Sequence, residues 1–212
     1  LYGNEGDDKF IQTATAGDTT GDIIYGGSQS DGSRGSDTVD YSAINDVNGI
    51  KVSLNDTGLS NVTVGNSSND HQVANVENII GTTGTDTIEG DSADNILNAT
   101  SGTNDTLSYE NASSSVYVNL GNAITSDITG DGNADNINAT TAVGSATGTD
   151  TITNFDDVDG SLNKDTIVGD SADNTLDGKA NDDILVGGDG ADSLIGGTGS
   201  DTVDYSVITN SS

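Results

Sequence analysis

The 212-residue chain has no cysteine, proline, methionine or tryptophan, and only two phenylalanines and one histidine. Without cysteine no disulfide can staple the fold, and a single histidine leaves neither a zinc set nor a nucleophile–base pair. Five basic residues stand against 35 acidic ones, a formal charge of −30, which excludes nucleic acid as a natural partner. Strong core formers are scarce: 15 Val, 17 Ile, 10 Leu and 2 Phe make 44 of 212, about 21%. A charged chain is expected to be disordered below roughly 20%. Composition alone therefore predicts a chain that does not fold unaided, and of the usual remedies for a thin core only metal or assembly is left. The excess carboxylates point to a cation. No run approaches about 18 apolar residues and no basic n-region precedes an apolar stretch, so neither a membrane span nor a signal peptide is read here. The chain begins and ends inside its patterns and reads as a piece excised from something longer.

What is present is repetition, with a period of nine. Four nonads follow without a gap: GDSADNTLD (Gly169 to Asp177), GKANDDILV (Gly178 to Val186), GGDGADSLI (Gly187 to Ile195) and GGTGSDTVD (Gly196 to Asp204). Each has Gly first, Asp or Asn sixth, and an apolar residue eighth, namely Leu176, Leu185, Leu194 and Val203. One apolar residue in nine is too sparse for an amphipathic helix but suits a very short strand after a long turn. Less regular copies stand upstream: GNEGDDKFI (Gly3 to Ile11), GSRGSDTVD (Gly32 to Asp40) and GDSADNILN (Gly90 to Asn98).

A larger repeat lies over the small one. GSDTVDYS at Gly35 to Ser42 returns identically at Gly199 to Ser206 and loosely as TNDTLSYE at Thr103 to Glu110, and GDSADN occurs at Gly90 and Gly169. Alternating apolar residues follow two of these elements, Ile50, Val52 and Leu54 in one case and Val116, Val118 and Leu120 in the other, and read as ordinary strands. ANVENIIG (Ala74 to Gly81) and TNFDDVDG (Thr153 to Gly160) lead back into the next nonads. Two modules result. The first covers residues 1–110, with nonads at 1–40 and 81–109 and wider coils between; the second covers 111–212, with wider coils at 111–148 and regular nonads at 149–206.

The four unbroken nonads fit GGxGxDxUx, where U is a large apolar residue, and the chain resembles the RTX (repeats-in-toxin) calcium-binding parallel β-roll family. The resemblance implies secretion by bacteria through a type I exporter and calcium-triggered folding outside the cell. It also implies parent proteins such as toxins, adhesins, surface-layer proteins and exoenzymes. The expected fold is all-β, an elongated right-handed parallel β-roll or solenoid, with about twelve rungs if every residue coiled at about 18 per turn.

The chemistry of the nonad can be argued from its residues as well. A Gly-rich six-residue turn can direct backbone carbonyls inward, and an Asp at its end adds a carboxylate oxygen to the same concavity. Calcium takes about six to eight hard oxygens, more than one turn offers, so two turns stacked about 4.8 Å apart should share each ion. If two nonads make one coil, Asp183 pairs with Asp201 and Asn174 with Asp192. Turn carbonyls of Gly178, Ala180, Gly187, Asp189, Gly196 and Thr198 would complete the sites. The same pattern nominates Asp8, Asp22, Asp37, Asp86, Asp105, Asp150 and Asp165, with Asn95 as the counterpart of Asn174. Stacked carboxylates without an ion repel, each pair by roughly 3 kcal/mol at about 5 Å and an effective dielectric near 20. Calcium, bound on the order of 10⁻⁴ to 10⁻³ M as in extracellular modules, would then act as a folding switch.

Other signals are weaker. DITGDGNAD places Asp127, Asp131 and Asp135 at EF-hand-like positions around Gly132, but Thr129 replaces the third ligand and Asn138 the terminal Glu, so it reads as a solvated acidic loop. His71 reads as a surface residue, and the carboxylate pairs Asp7/Asp8, Asp156/Asp157 and Asp182/Asp183 as composition rather than a glycosidase dyad. Tyr41, Tyr109 and Tyr205 read as packing where the regular roll gives way to wider coils. HExxH, GxSxG and comparable motifs are missing, so no enzyme is expected. The expected function is structural: a calcium-rigidified adhesin stalk or surface-layer or filament unit of a large secreted bacterial surface protein. The alternative is the secretion and folding module of an exported toxin or exoenzyme. Expected partners are calcium ions, copies of the chain in a lattice, or a host-surface or glycan ligand reached through other domains.

Overall fold

The computed structural model describes residues 1–13, 21–27, 35–56, 58–66, 71–122 and 138–205. The described residues contain no helix and twenty strands, most of three residues. These begin with β1 (Tyr2–Asn4), β2 (Lys9–Ile11), β3 (Ile23–Gly27), β4 (Thr38–Asp40), β5 (Ile50–Ser53) and β6 (Ser60–Val64). They continue with β7 (His71–Ala74), β8 (Asn78–Ile80), β9 (Thr87–Glu89), β10 (Ile96–Asn98) and β11 (Thr106–Ser108). Next come β12 (Val116–Asn119), β13 (Thr141–Gly144), β14 (Gly148–Thr153), β15 (Asp157–Asp159) and β16 (Thr166–Val168). The last strands are β17 (Thr175–Asp177), β18 (Ile184–Val186), β19 (Ser193–Ile195) and β20 (Thr202–Val203).

The strands form two ten-stranded sheets. One runs β1-β3-β7-β6-β5-β9-β11-β15-β17-β19 and the other β2-β4-β8-β10-β14-β13-β12-β16-β18-β20. Outside two excursions, successive strands alternate between the sheets. The nonad period fixes the register: Leu176 lies beside Leu194, Ile167 beside Leu185, and Leu185 beside Val203, each pair parallel and 18 residues apart. A strand of three residues turns its middle side chain to one face and the flanking two to the other. That is why one apolar residue per nonad suffices. Ile79, Ile88, Leu97, Leu107, Ile167 and Leu176 are fully buried between the sheets.

At residues 41–80 and 111–148, where the sequence suggests wider coils, the chain instead builds antiparallel meanders. β5, β6 and β7 pair antiparallel in the first sheet, and β12, β13 and β14 do so in the second. Each meander adds two strands to one sheet, so the second restores the balance that the first upsets. The two meanders correspond at two positions. Tyr109 follows β11, is 1% exposed, and its hydroxyl donates to Asp150 Oδ2 at 2.7 Å. Its counterpart Tyr41 follows β4 and meets the edge of the His71 ring at a centroid distance of 6.2 Å. Contrary to a surface reading, His71 is half-buried, and neither its Nδ1 nor the Tyr41 hydroxyl has a hydrogen-bond partner. Tyr205 is 67% exposed rather than packed.

Candidate metal centre

A residue with a carboxylate or amide side chain stands immediately before most of the short strands, and successive coils bring these residues into two files, one along each sheet. Along the second sheet the Asp8 amide donates to Asp37 Oδ1 at 2.9 Å, and the Asp37 amide to Glu77 Oε2 at 2.8 Å. Farther on, the Asn95 amide donates to Asp150 Oδ1 (3.0 Å), the Asp165 amide to Asp183 Oδ1 (2.8 Å) and the Asp183 amide to Asp201 Oδ1 (3.1 Å). Along the first sheet the Asp86 amide donates to Asp105 Oδ1 (2.7 Å), the Asp105 amide to Asp156 Oδ2 (3.0 Å) and the Asn174 amide to Asp192 Oδ1 (3.0 Å). Each accepting carboxylate thus uses one oxygen to hold the preceding coil in register, while Asn174 does so by donating Nδ2 to the Asp156 carbonyl at 2.7 Å.

The pairs expected from the spacing, Asp183 with Asp201 and Asn174 with Asp192, are therefore direct neighbours. Asp8, Asp37, Asp86, Asn95, Asp105, Asp150 and Asp165 all join a file. Asp22 does not: it is exposed, and its backbone carbonyl, not its side chain, accepts from the Gln72 amide at 2.8 Å. Asp189 is exposed and its amide donates to the Asp170 carbonyl at 3.2 Å. Gly178 donates to the Ile195 carbonyl at 2.8 Å, while Ala180 and Thr198 form a parallel bridge. Gly187 and Gly196 share with Gly178 a steric constraint. A Cβ at any of the three would run into the carboxylate of its own nonad, Asp192, Asp201 or Asp183, which folds back over the turn. The Asp127, Asp131 and Asp135 segment lies outside the described residues.

Two members of the files escape the nonad pattern. Glu77 and Asp156 stand immediately before β8 and β15 on connections too short to be nonads. Their signal is the acidic residue one or two positions before a buried apolar one, in ANVENIIG and TNFDDVDG.

The second carboxylate oxygens carry the chemistry. Oδ2 of Asp8, Asp105 and Asp183 is buried and has no hydrogen-bond partner, and Asp105 and Asp183 are themselves at most 1% exposed. An ionised oxygen taken out of water without a donor is costly, so buried carboxylates are normally paired or metal-bound. Burial first, and then neighbouring carboxylates, push Asp105 and Asp183 up to about 6 from the usual 3.8, against the pull of the Asp86 and Gly102 amides on Asp105 and of the Asp165 amide on Asp183. Asp150 goes up to about 7, chiefly by burial. Burial raises Asp37, Asp86 and Asp165 too. Among the described residues no three carboxylate or imidazole side chains converge on one point. An ion here needs the backbone oxygens of the turns beside the carboxylates. Hard oxygens of this kind fit calcium, with Asp183 and Asp201 as the side-chain donors; bound there, the ion supplies positive charge between stacked turns.

The class this defines is a repeat of nine with an acidic, oxygen-lined turn. The family model for the RTX calcium-binding nonapeptide repeat (four copies) matches residues 74–107, 159–194 and 168–203. These stretches are RTX calcium-binding repeats, and they make the chain a calcium-binding structural segment of a bacterial protein. No curated protein matches the chain.

Proposed function

We propose that the chain is a calcium-stiffened spacer or lattice-forming segment of a large secreted bacterial surface protein, an adhesin stalk or a surface-layer or filament unit. In this reading the two sheets are the walls of an elongated right-handed parallel β-roll, arranged as two modules with boundaries near 110. One observation carries it: Asp183 lies directly over Asp201 in consecutive coils, with one oxygen spent on register and the other buried without a donor. Such a site binds an ion better folded than unfolded, so binding free energy becomes folding free energy. The segment has no catalytic role in this proposal. Its work is to resist bending and extension.

The test is a calcium titration followed by far-UV circular dichroism and light scattering, with magnesium as control. Growth of β signal and thermal stability at sub-millimolar to millimolar calcium, absent with magnesium, is the expected result. Growth in mass alongside would favour the lattice unit over the stalk. Indifference to calcium up to several millimolar would overturn the proposal.

A further inference from the structure

The six-residue turns of this chain fall into two conformations. In turns 81–86, 90–95, 160–165 and 169–174 the amide of the second residue donates to the side chain of the sixth. Thr82 donates to Asp86 Oδ2 at 2.8 Å, Asp91 to Asn95 Oδ1 at 2.9 Å, Ser161 to Asp165 Oδ2 at 2.6 Å and Asp170 to Asn174 Oδ1 at 2.9 Å. The two side chains also join directly. Thr82 Oγ1 donates to Asp86 Oδ1 (2.9 Å) and Ser161 Oγ to Asp165 Oδ1 (2.8 Å). In the other two turns the polarity is reversed, Asn95 Nδ2 donating to Asp91 Oδ1 (3.1 Å) and Asn174 Nδ2 to Asp170 Oδ1 (3.3 Å). The amide of the fourth residue, Gly84, Ala93, Asn163 or Ala172, then donates to the second side chain at 2.8 to 3.0 Å. These turns are closed on themselves.

Turns 3–8, 178–183, 187–192 and 196–201 are open. Their second and fourth residues lie at positive φ: Asn4 (76°) and Gly6 (94°), Lys179 (68°) and Asn181 (72°), Gly188 (100°) and Gly190 (120°), Gly197 (88°) and Gly199 (156°). None of the second and fourth residues of the closed turns has positive φ. Reversing φ takes the second amide away from the carboxylate; Lys179 donates instead to Asp177 Oδ1 at 2.9 Å. Two of the buried oxygens without a donor, Asp8 Oδ2 and Asp183 Oδ2, belong to open turns, and none belongs to a closed one. The third, Asp105 Oδ2, ends the seven-residue turn 99–105, where Thr100 (72°) and Asn104 (61°) also have positive φ.

Building on the calcium reading above, we infer that the second residue of each six-residue turn decides whether it takes an ion. Ser, Thr or Asp there seals the turn with protein donors and makes it calcium-independent, whereas Gly, Lys or Asn at positive φ leaves it open to calcium. Turn 178–183 stacked on 196–201 is the one pair of six-residue turns, both open, that lies within the described residues. Asn174 with Asp192 joins a closed turn to an open one and is not a shared site of the same kind, and the sealed carboxylates of Asp86 and Asp165 hold no ion.

Calorimetric titration of the full chain with calcium separates these turns. Asp183→Asn and Asp201→Asn should each lower the number of ions bound by one, the same ion in both cases, while Asp86→Asn and Asp165→Asn leave the number unchanged. Asp201 is exposed, so its variant reports even if Asp183→Asn fails to fold. A loss of ions in Asp86→Asn or Asp165→Asn equal to that in Asp201→Asn would overturn the inference. A wild-type chain that binds no calcium would instead remove the calcium reading beneath it.

Discussion

Turns 160–165 and 178–183 lie one upon the other, are equally long, begin with Gly and end with Asp, yet the two aspartates live differently. Asp165 accepts from the Val116 and Ser161 amides and from the Ser161 hydroxyl, so both of its oxygens are satisfied by protein. Asp183 accepts from Asp165 through one oxygen and offers the other to nothing. A Ser at the second position in place of a Lys separates a carboxylate satisfied on both oxygens by protein donors from one satisfied on a single oxygen. In the reading proposed above, matching the nine-residue pattern is thus no measure of dependence on metal; the sign of φ at the second residue of the turn is.

The comparison sharpens first with pH. Asp105 and Asp183 at about 6 and Asp150 at about 7 hold protons more tightly folded than unfolded, where they titrate near the usual 3.8. Stability tied to them falls as pH rises through that window. In chelator the melting temperature should therefore rise by several degrees from pH 7.5 to 5, because protons do in part what calcium does. With calcium present the trend should shrink or reverse, since protons compete with the ion.

Next come the two tyrosines beside the meanders. Tyr109→Phe leaves Asp150 Oδ2 without its buried donor and should cost about 1–3 kcal/mol in denaturant unfolding. Tyr41→Phe removes a hydroxyl that has no partner, and should be neutral or slightly stabilising. Equal losses would contradict the difference between the two tyrosines.

Ser161→Ala and Thr82→Ala each remove one seal and should cost about 1 kcal/mol, equally with and without calcium. The smallest effect belongs to Lys179. Its Nζ lies 2.7 Å from Asp159 and 2.9 Å from Asp177, like charges that face each other across adjacent strands. Lys179→Ala should lose a few tenths to about 1 kcal/mol, less in high salt, as for other partly exposed ion pairs.

The period of nine made the coil of 18 legible, together with its buried residues and the meeting of Asp183 with Asp201. The meanders were not legible, because Ile50, Val52 and Leu54 mark a strand without saying on which side or in which direction it pairs. Glu77 and Asp156 were hidden because their connections are shorter than a nonad, which leaves only the residue before the strand to align. His71 was hidden for another reason: it takes the place of Asp150, and one polar group replacing another at a meander position leaves no periodic trace. The seals were in plain view as Thr82, Ser161, Asp91 and Asp170, but their meaning depends on the sign of φ, which composition does not report.

Hydrogen exchange of the wild-type chain with and without calcium is the most direct test of the account. Calcium should protect the amides of residues 184–186 and 202–203 strongly, while those of 87–89 and 166–168, beyond closed turns, stay protected in chelator. Uniform loss of protection along the whole chain on chelation, or none anywhere, would contradict it.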